Sequence, residues 1–75
     1  MSRSVTIEAN WDDEAGVWLA TSSDVPGLVV EAESWSRMIE EVELVLPELL
    51  ELSNNGDGTL SLTFKAEQRL DLAHA

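Results

Sequence analysis

Turn-forming residues divide the first half of the chain into three short segments. From Val5 to Asp12 apolar and polar side chains alternate, which is the period of a strand with one buried face. Residues 13–16 are a short acidic connection that ends in Gly16, and Asp24-Val25-Pro26-Gly27 combines a fixed proline φ with a permissive glycine. Turns at these two places predict three consecutive strands, at residues 5–12, 17–22 and 28–32.

A helical pattern follows the third strand. Ser34 is the predicted N-cap, because its hydroxyl can accept a free first-turn N–H. Pro47 lies inside the helical pattern, where it removes a backbone donor and predicts a kink or a restart. Residues 54–58 carry Asn, Asp and Gly and are predicted to end the helix, and alternation from Leu60 onwards predicts a fourth strand. The apolar stripe of the helix comprises Trp35, Met38, Ile39, Val42, Val45, Leu46, Leu49 and Leu50.

The predicted fold class is α+β, in the order β-β-β-α-β, as one domain over residues 1–75. A single helix covers one face of a four-stranded sheet, so the other face is open. If Val17 and Leu19 point inward, the open face exposes Trp18, Ala20 and Val29, and such an apolar strip is typical of a contact surface. Both faces of the second strand are apolar, however, so the alternation alone does not decide which face Trp18 occupies.

Charge is the strongest compositional feature of the chain. Four basic residues against 15 acidic ones give a net charge of −11, and the basic residues are scattered along the sequence. No basic patch can be assembled, so we expect no direct contact with nucleic acid. The acidity favours a basic partner, although it equally serves to keep a small protein in solution.

The composition also bears on compartment and membrane contact. Cysteine is absent, which excludes disulfides and thiolate chemistry. No apolar run approaches the ~18 residues of a membrane span, and the N-terminus has no signal-peptide pattern, so we expect a cytoplasmic protein without membrane contact.

Candidate catalytic and metal-binding residues are better explained as structural ones. His74 lies two residues from the end of the sequence and has no Cys or second His with which to hold a metal. The acidic cluster at 12–14 and the Asn/Asp cluster at 54–57 fit turns in which side chains bond their own backbone. We therefore predict a protein that is not an enzyme and needs no metal or cofactor.

Two surfaces are candidates for binding a partner. Trp11 and Trp35 lie on predicted inward faces, whereas Trp18 and Val29 are assigned to the open sheet face. Leu44 stands opposite the apolar stripe of the helix, and an apolar residue surrounded by acids can anchor a basic partner. The predicted partner-binding residues are Trp18, Val29, Leu44, Glu40, Glu41 and Glu48.

A set of short motifs in this chain resembles the HicB antitoxin superfamily, and most of all its short members without a DNA-binding tail. The motifs are Trp11-Asp12, Glu14-Ala15-Gly16-Val17-Trp18, Ala20-Thr21-Ser22, Asp24-Val25-Pro26-Gly27-Leu28, Glu31-Ala32 and Pro47-Glu48-Leu49-Leu50. The resemblance implies a partial ribonuclease-H-like fold. It also implies a partner, a small basic HicA-type toxin that cleaves mRNA and whose catalytic histidine the antitoxin blocks. The acidic quartet of ribonuclease H has no matching set here, so the resemblance implies binding and not nuclease activity.

The expected function is therefore that of a non-enzymatic antitoxin module that neutralises a basic toxin through charge and an apolar anchor. The alternative is a stand-alone HicB-like domain with a structural or small-ligand role. Such a domain is expected to form a homodimer or higher oligomer through the open sheet face near Trp18 and Val29.

Overall fold

A computed structural model describes residues 2–50 and 59–73 of the chain. Within these residues the chain forms four strands and one helix in the predicted order β-β-β-α-β. The elements are β1 (Ser2–Asp12), β2 (Val17–Thr21), β3 (Val29–Ala32), α1 (Trp35–Leu49) and β4 (Thr59–Glu67). The predicted α+β class with a helix packed on a four-stranded sheet is confirmed.

The sheet has the spatial order β3-β2-β1-β4, so the first and last strands in sequence are neighbours. β1 pairs antiparallel with β2 and parallel with β4, and β2 pairs antiparallel with β3. Parallel strands need a crossover connection, and the segment containing α1 supplies it. β1 is longer than either neighbouring strand. Its residues 2–7 pair only with β4, and its later residues continue into the hairpin with β2.

The acidic connection between β1 and β2 is a hydrogen-bonded turn. The Gly16 N–H donates to the Asp12 carbonyl at 2.8 Å, and Gly16 has a φ of 68°, which glycine adopts without strain. The Asp12 carboxylate accepts from the backbone N–H groups of Glu14 and Ala15 at 3.1 and 3.2 Å. The turn interpretation of this cluster is confirmed, whereas the cluster at 54–57 and His74 lie outside the described residues.

Side chains of the β2–β3 connection satisfy the backbone of β1 where β2 has separated from it. The Asp24 carboxylate accepts from the Thr6 N–H at 2.9 Å, and the Ser22 hydroxyl donates to the Thr6 carbonyl at 2.6 Å. The same hydroxyl accepts from the Asp24 N–H at 3.1 Å. The N–H and the carbonyl of Thr6 therefore both have hydrogen-bond partners, although β2 no longer pairs with this part of β1.

Helix α1 begins where the sequence predicts it. The Ser34 hydroxyl accepts from the Arg37 N–H at 3.1 Å, and Ser34 has extended dihedral angles, as an N-cap residue should. The sequence predicts a kink or a restart at Pro47, and the restart is wrong, because the helix runs without interruption to Leu49. The kink stays a prediction. Pro47 stands in the last turn, where its missing N–H costs the helix only the bond to the Glu43 carbonyl.

The core lies between α1 and the face of the sheet that the helix covers. The helix contributes a central stripe, and the sheet contributes alternate residues of β1, β2 and β3 together with the β2–β3 connection. The buried hydrophobic residues are Val5, Ile7, Ala9, Ala20, Val25, Leu28, Val30, Ala32, Met38, Val42 and Leu46.

The predicted placement of β2 is wrong: Trp18 and Ala20 lie on the helix-covered face, and Val17 and Leu19 do not. Trp18 is opposite Trp11 in β1 and opposite Ala32 in β3, and directly opposite residues share a face of an antiparallel sheet. Ala20 is fully buried, and Trp18 packs against the core. The assignment of Val29 to the open face is confirmed, since it is 63% exposed.

Candidate functional site

In residues 2–50 and 59–73 no three His, Asp or Glu side chains come together as a possible metal site. Two carboxylates of the turn between β1 and β2 already have hydrogen-bond partners. Asp12 accepts from the backbone of the turn, and Asp13 accepts from the Trp11 indole N–H at 2.8 Å. The predicted partner-binding residues other than Trp18 lie on two surfaces, the outer face of α1 and the open face of the sheet.

The outer face of α1 brings four of the predicted partner-binding residues together. Leu44 is 73% exposed, and Glu40 and Glu48 lie one turn before and one turn after it. Glu41 lies beside them, and the Arg37 guanidinium pairs with Glu40 at 3.6 Å and with Glu41 at 3.4 Å. We call Leu44, Arg37, Glu40, Glu41 and Glu48 together the Leu44 face. It presents one apolar side chain within a surface that is acidic on balance.

The open sheet face is mostly polar. In register across the sheet, one row reads Val29, Thr21, Glu8 and Lys65, and the next reads Glu31, Leu19, Asn10 and Glu67. In the described part of the sheet, the apolar residues of this face are Val17 and Leu19 of β2 and Val29 of β3. Three scattered apolar side chains are ordinary for a protein surface, so this face gives weaker support for a contact site than the sequence pattern predicts.

The three tryptophans join with Phe64 in one chain of edge-to-face contacts. Ring centroids are 5.4 Å apart for Trp11 and Trp18, 4.9 Å for Trp18 and Trp35, and 6.1 Å for Trp35 and Phe64. The chain ties the start of α1 to both β2 and β4, and each such pair adds about 0.5–1.5 kcal/mol to what burial provides. Trp35 packs against the core as predicted, and Trp18 does the same. Trp11 lies on the same face of the sheet but is only half-buried.

A groove between α1 and β4 is a surface that sequence reasoning missed. Its volume is about 470 Å³, and it forms because the helix backbone approaches β2 and β3 but stays farther from β4. The apolar residues of β4 are consequently only partly buried. The groove is lined by Glu43, Leu46, Pro47, Leu60, Leu62 and Phe64. The alternation in β4 indicated an inward face, but nothing in the pattern indicated that the helix would leave it partly uncovered.

The fold is that of a small α+β domain with one helix packed on a four-stranded sheet. Residues 4–73 match a family model described as a domain of unknown function (DUF1902), and the chain belongs to this family. The chain is also similar to the crystal structure of a hypothetical protein, TTHA1013, from the extremely thermophilic bacterium Thermus thermophilus. The two are 37% identical, with a TM-score of 0.76 over 93% of this chain and 100% of that one. No curated protein matches the chain.

Among residues 2–50 and 59–73, no helix is both long enough and apolar enough to cross a bilayer.

Proposed function

We propose that this protein is a HicB-like binding module that neutralises a small basic toxin by holding it against the Leu44 face. The exposure of Leu44 among glutamates is the observation that carries the proposal. An isolated leucine at 73% exposure is unremarkable by itself. Here it sits centrally on a helix face with three carboxylates around it, which is the combination expected of an apolar anchor in an electrostatically matched contact.

The net charge of −11 supports a basic partner of this kind. Complementary charge accelerates encounter and selects against acidic competitors, whereas the buried apolar anchor slows dissociation. The Arg37 pairs hold Glu40 and Glu41 along the helix surface, so their carboxylates are partly ordered before a partner arrives. The carboxylates thus attract and orient the toxin, and Leu44 slows its dissociation.

The proposal predicts that a short reading frame beside this gene encodes a basic protein, and the product of that frame is the partner for the test. Co-expression should relieve the growth arrest that the basic protein causes alone, and calorimetry should detect a complex of the two purified proteins. Absence of a complex between the wild-type proteins would reject the proposal.

Two variants then decide which surface binds. L44K removes the anchor and adds a like charge to the partner's, so it should weaken the complex about 30-fold, as loss of a hot spot of about 2 kcal/mol does. V29K makes the same kind of change on the open sheet face, and its affinity should stay within about threefold of wild type. If V29K weakens the complex and L44K does not, the toxin binds the sheet and the Leu44 face is the wrong surface.

A further inference from the structure

β4 combines three properties that are normally kept apart in an isolated domain. It is an edge strand of the sheet, it is nine residues long, and one of its two faces borders the apolar groove beside α1. A long edge strand is a template for pairing with another strand, and it has no proline to prevent this. The edge and the groove thus form one continuous acceptor surface.

The residues that follow β4 have the pattern of a strand that extends past the sheet. Leu70 and Leu72 are 74% and 80% exposed, and they alternate with charged residues. Arg69 pairs with Asp71 at 3.4 Å, as the two-residue side-chain period of an extended backbone allows. Residues 68–73 form neither helix nor strand, and their alternation gives this arm one apolar side and one charged side.

We propose that two copies of this chain pair through β4, antiparallel and centred on Ala66, so that the arm of each copy covers the groove of the other. In this register Leu72 of one copy lies opposite Leu60 of the other, and Leu70 lies opposite Leu62. Opposite residues of an antiparallel pair share a face, so the exposed leucines of the arm flank the partly buried leucines that line the groove. The two sheets become one continuous eight-stranded sheet.

Charge on the other face selects this register over its neighbours. With Ala66 at the centre, Lys65 of each copy lies opposite Glu67 of the other, and the two-fold axis makes the pair twice. Centring on Lys65 would place the two lysines opposite each other, and centring on Glu67 would do the same for the two glutamates, both of which are destabilising. Centring on Gln68 would also join opposite charges, Lys65 with Asp71 and Glu67 with Arg69, but only the Ala66 register places Leu70 and Leu72 opposite the groove leucines Leu62 and Leu60.

The arm does not fill the groove of its own chain, since Leu70 and Leu72 are both exposed. To do so it would have to reverse direction directly after β4. Residues 66–73 contain no glycine or proline to make the reversal. A second copy is therefore the occupant that supplies matching side chains at matching positions.

This dimer does not depend on the proposed toxin complex, because the Leu44 face lies on the outside of α1 and leaves the β4 edge free. The mass in solution is measured by light scattering and by sedimentation over a range of concentrations. We expect a dimer that dissociates on dilution. A monomer at every concentration up to about 1 mM would overturn the proposal and leave the groove to a different partner, because a Kd above that value is too weak for specific pairing.

Charge reversal tests the register. K65E and E67K should each raise the dimer Kd about 10-fold or more, because every attractive pair becomes a repulsive one, and the double variant K65E/E67K should restore it. E31K is the matched control, since it makes the same charge change as E67K at β3, on the opposite edge of the sheet. Equal effects of E31K and E67K, or a double variant weaker than both single ones, would overturn the register.

The absence of cysteine in the sequence allows a covalent test that does not depend on affinity. At the two-fold axis the two Ala66 residues face each other at the Cα separation of a strand pair, about 4.5–5.5 Å, which suits a disulfide. A66C should therefore give a cross-linked dimer under mild oxidation. S61C should remain uncross-linked, because its two copies lie ten positions apart along the ladder, about 33 Å. Cross-linking of both variants alike, or of neither, would refute the arrangement.

Discussion

Replacing Trp18 measures how much stability the aromatic chain gives to the fold. Trp18 is partly buried against the core and contacts Trp11 and Trp35 edge to face. Burial of about 100–150 Å² of its ring at ~25 cal/mol per Å² contributes about 3 kcal/mol, and the two ring contacts add about 1–3 kcal/mol. W18A should therefore cost about 3–5 kcal/mol, the range seen when buried aromatics are truncated. A domain of this length has only about 4–11 kcal/mol in total.

The assay is urea unfolding followed by far-ultraviolet circular dichroism, with W18F beside W18A in case the alanine variant no longer folds. W18F keeps one ring in place and should lose about 1–2 kcal/mol, equivalent to a fall in Tm of roughly 4–16 °C. V29A is the control, because Val29 is an exposed apolar residue of the neighbouring strand and should change stability by less than about 0.5 kcal/mol. Equal losses in W18A and V29A would refute the placement of Trp18 under the helix.

Two further substitutions test the connections of the sheet by the same unfolding assay. S22A removes the donor to the Thr6 carbonyl from a buried site and should cost about 1–3 kcal/mol, whereas S23A beside it, on an exposed residue, should cost little; equal effects would mean that the bond contributes nothing. Gly27 has a φ of 93° and open space where a Cβ would stand, so G27A should cost about 1–3 kcal/mol through backbone strain alone. G16A, at a φ of 68° closer to the left-handed helical region, should cost less, and the reverse order would contradict this explanation.

The elements of the fold were predictable from the sequence because each has its own local signal. Alternation marked the strands, Ser34 marked the start of the helix, and the acidic cluster had the composition of a turn. The face of Trp18 was predicted wrongly because both sides of β2 are apolar, so alternation has no preferred phase there. The four-residue connection between β1 and β2 carries the information that alternation lacks. Pairing Asp12 with Val17 places Trp11 opposite Trp18, so an inward-facing Trp11 requires Trp18 to lie on the same face.

The candidate surfaces divide in a similar way. The helical period alone placed Leu44 among Glu40, Glu41 and Glu48, because neighbours on a helix surface follow from spacing. The groove beside β4 depends instead on where the helix axis lies over the sheet. That position is fixed by packing against β2 and β3, between residues distant in sequence, and no local pattern encodes it.

The adjacency of β1 and β4 has a consequence for how the protein is made. The longest ladder in the sheet joins Ser2–Asn10 to Thr59–Glu67, so partners are 57 residues apart along the chain. During synthesis the first three strands and the helix leave the ribosome before β4. The edge of β1 that pairs with β4 therefore stays unpaired until the last strand emerges. Late closure of this kind slows folding and exposes a strand edge in the interval. A nascent chain stalled before Thr59 would therefore present β1, with its apolar face and open edge, to chaperones and to other chains.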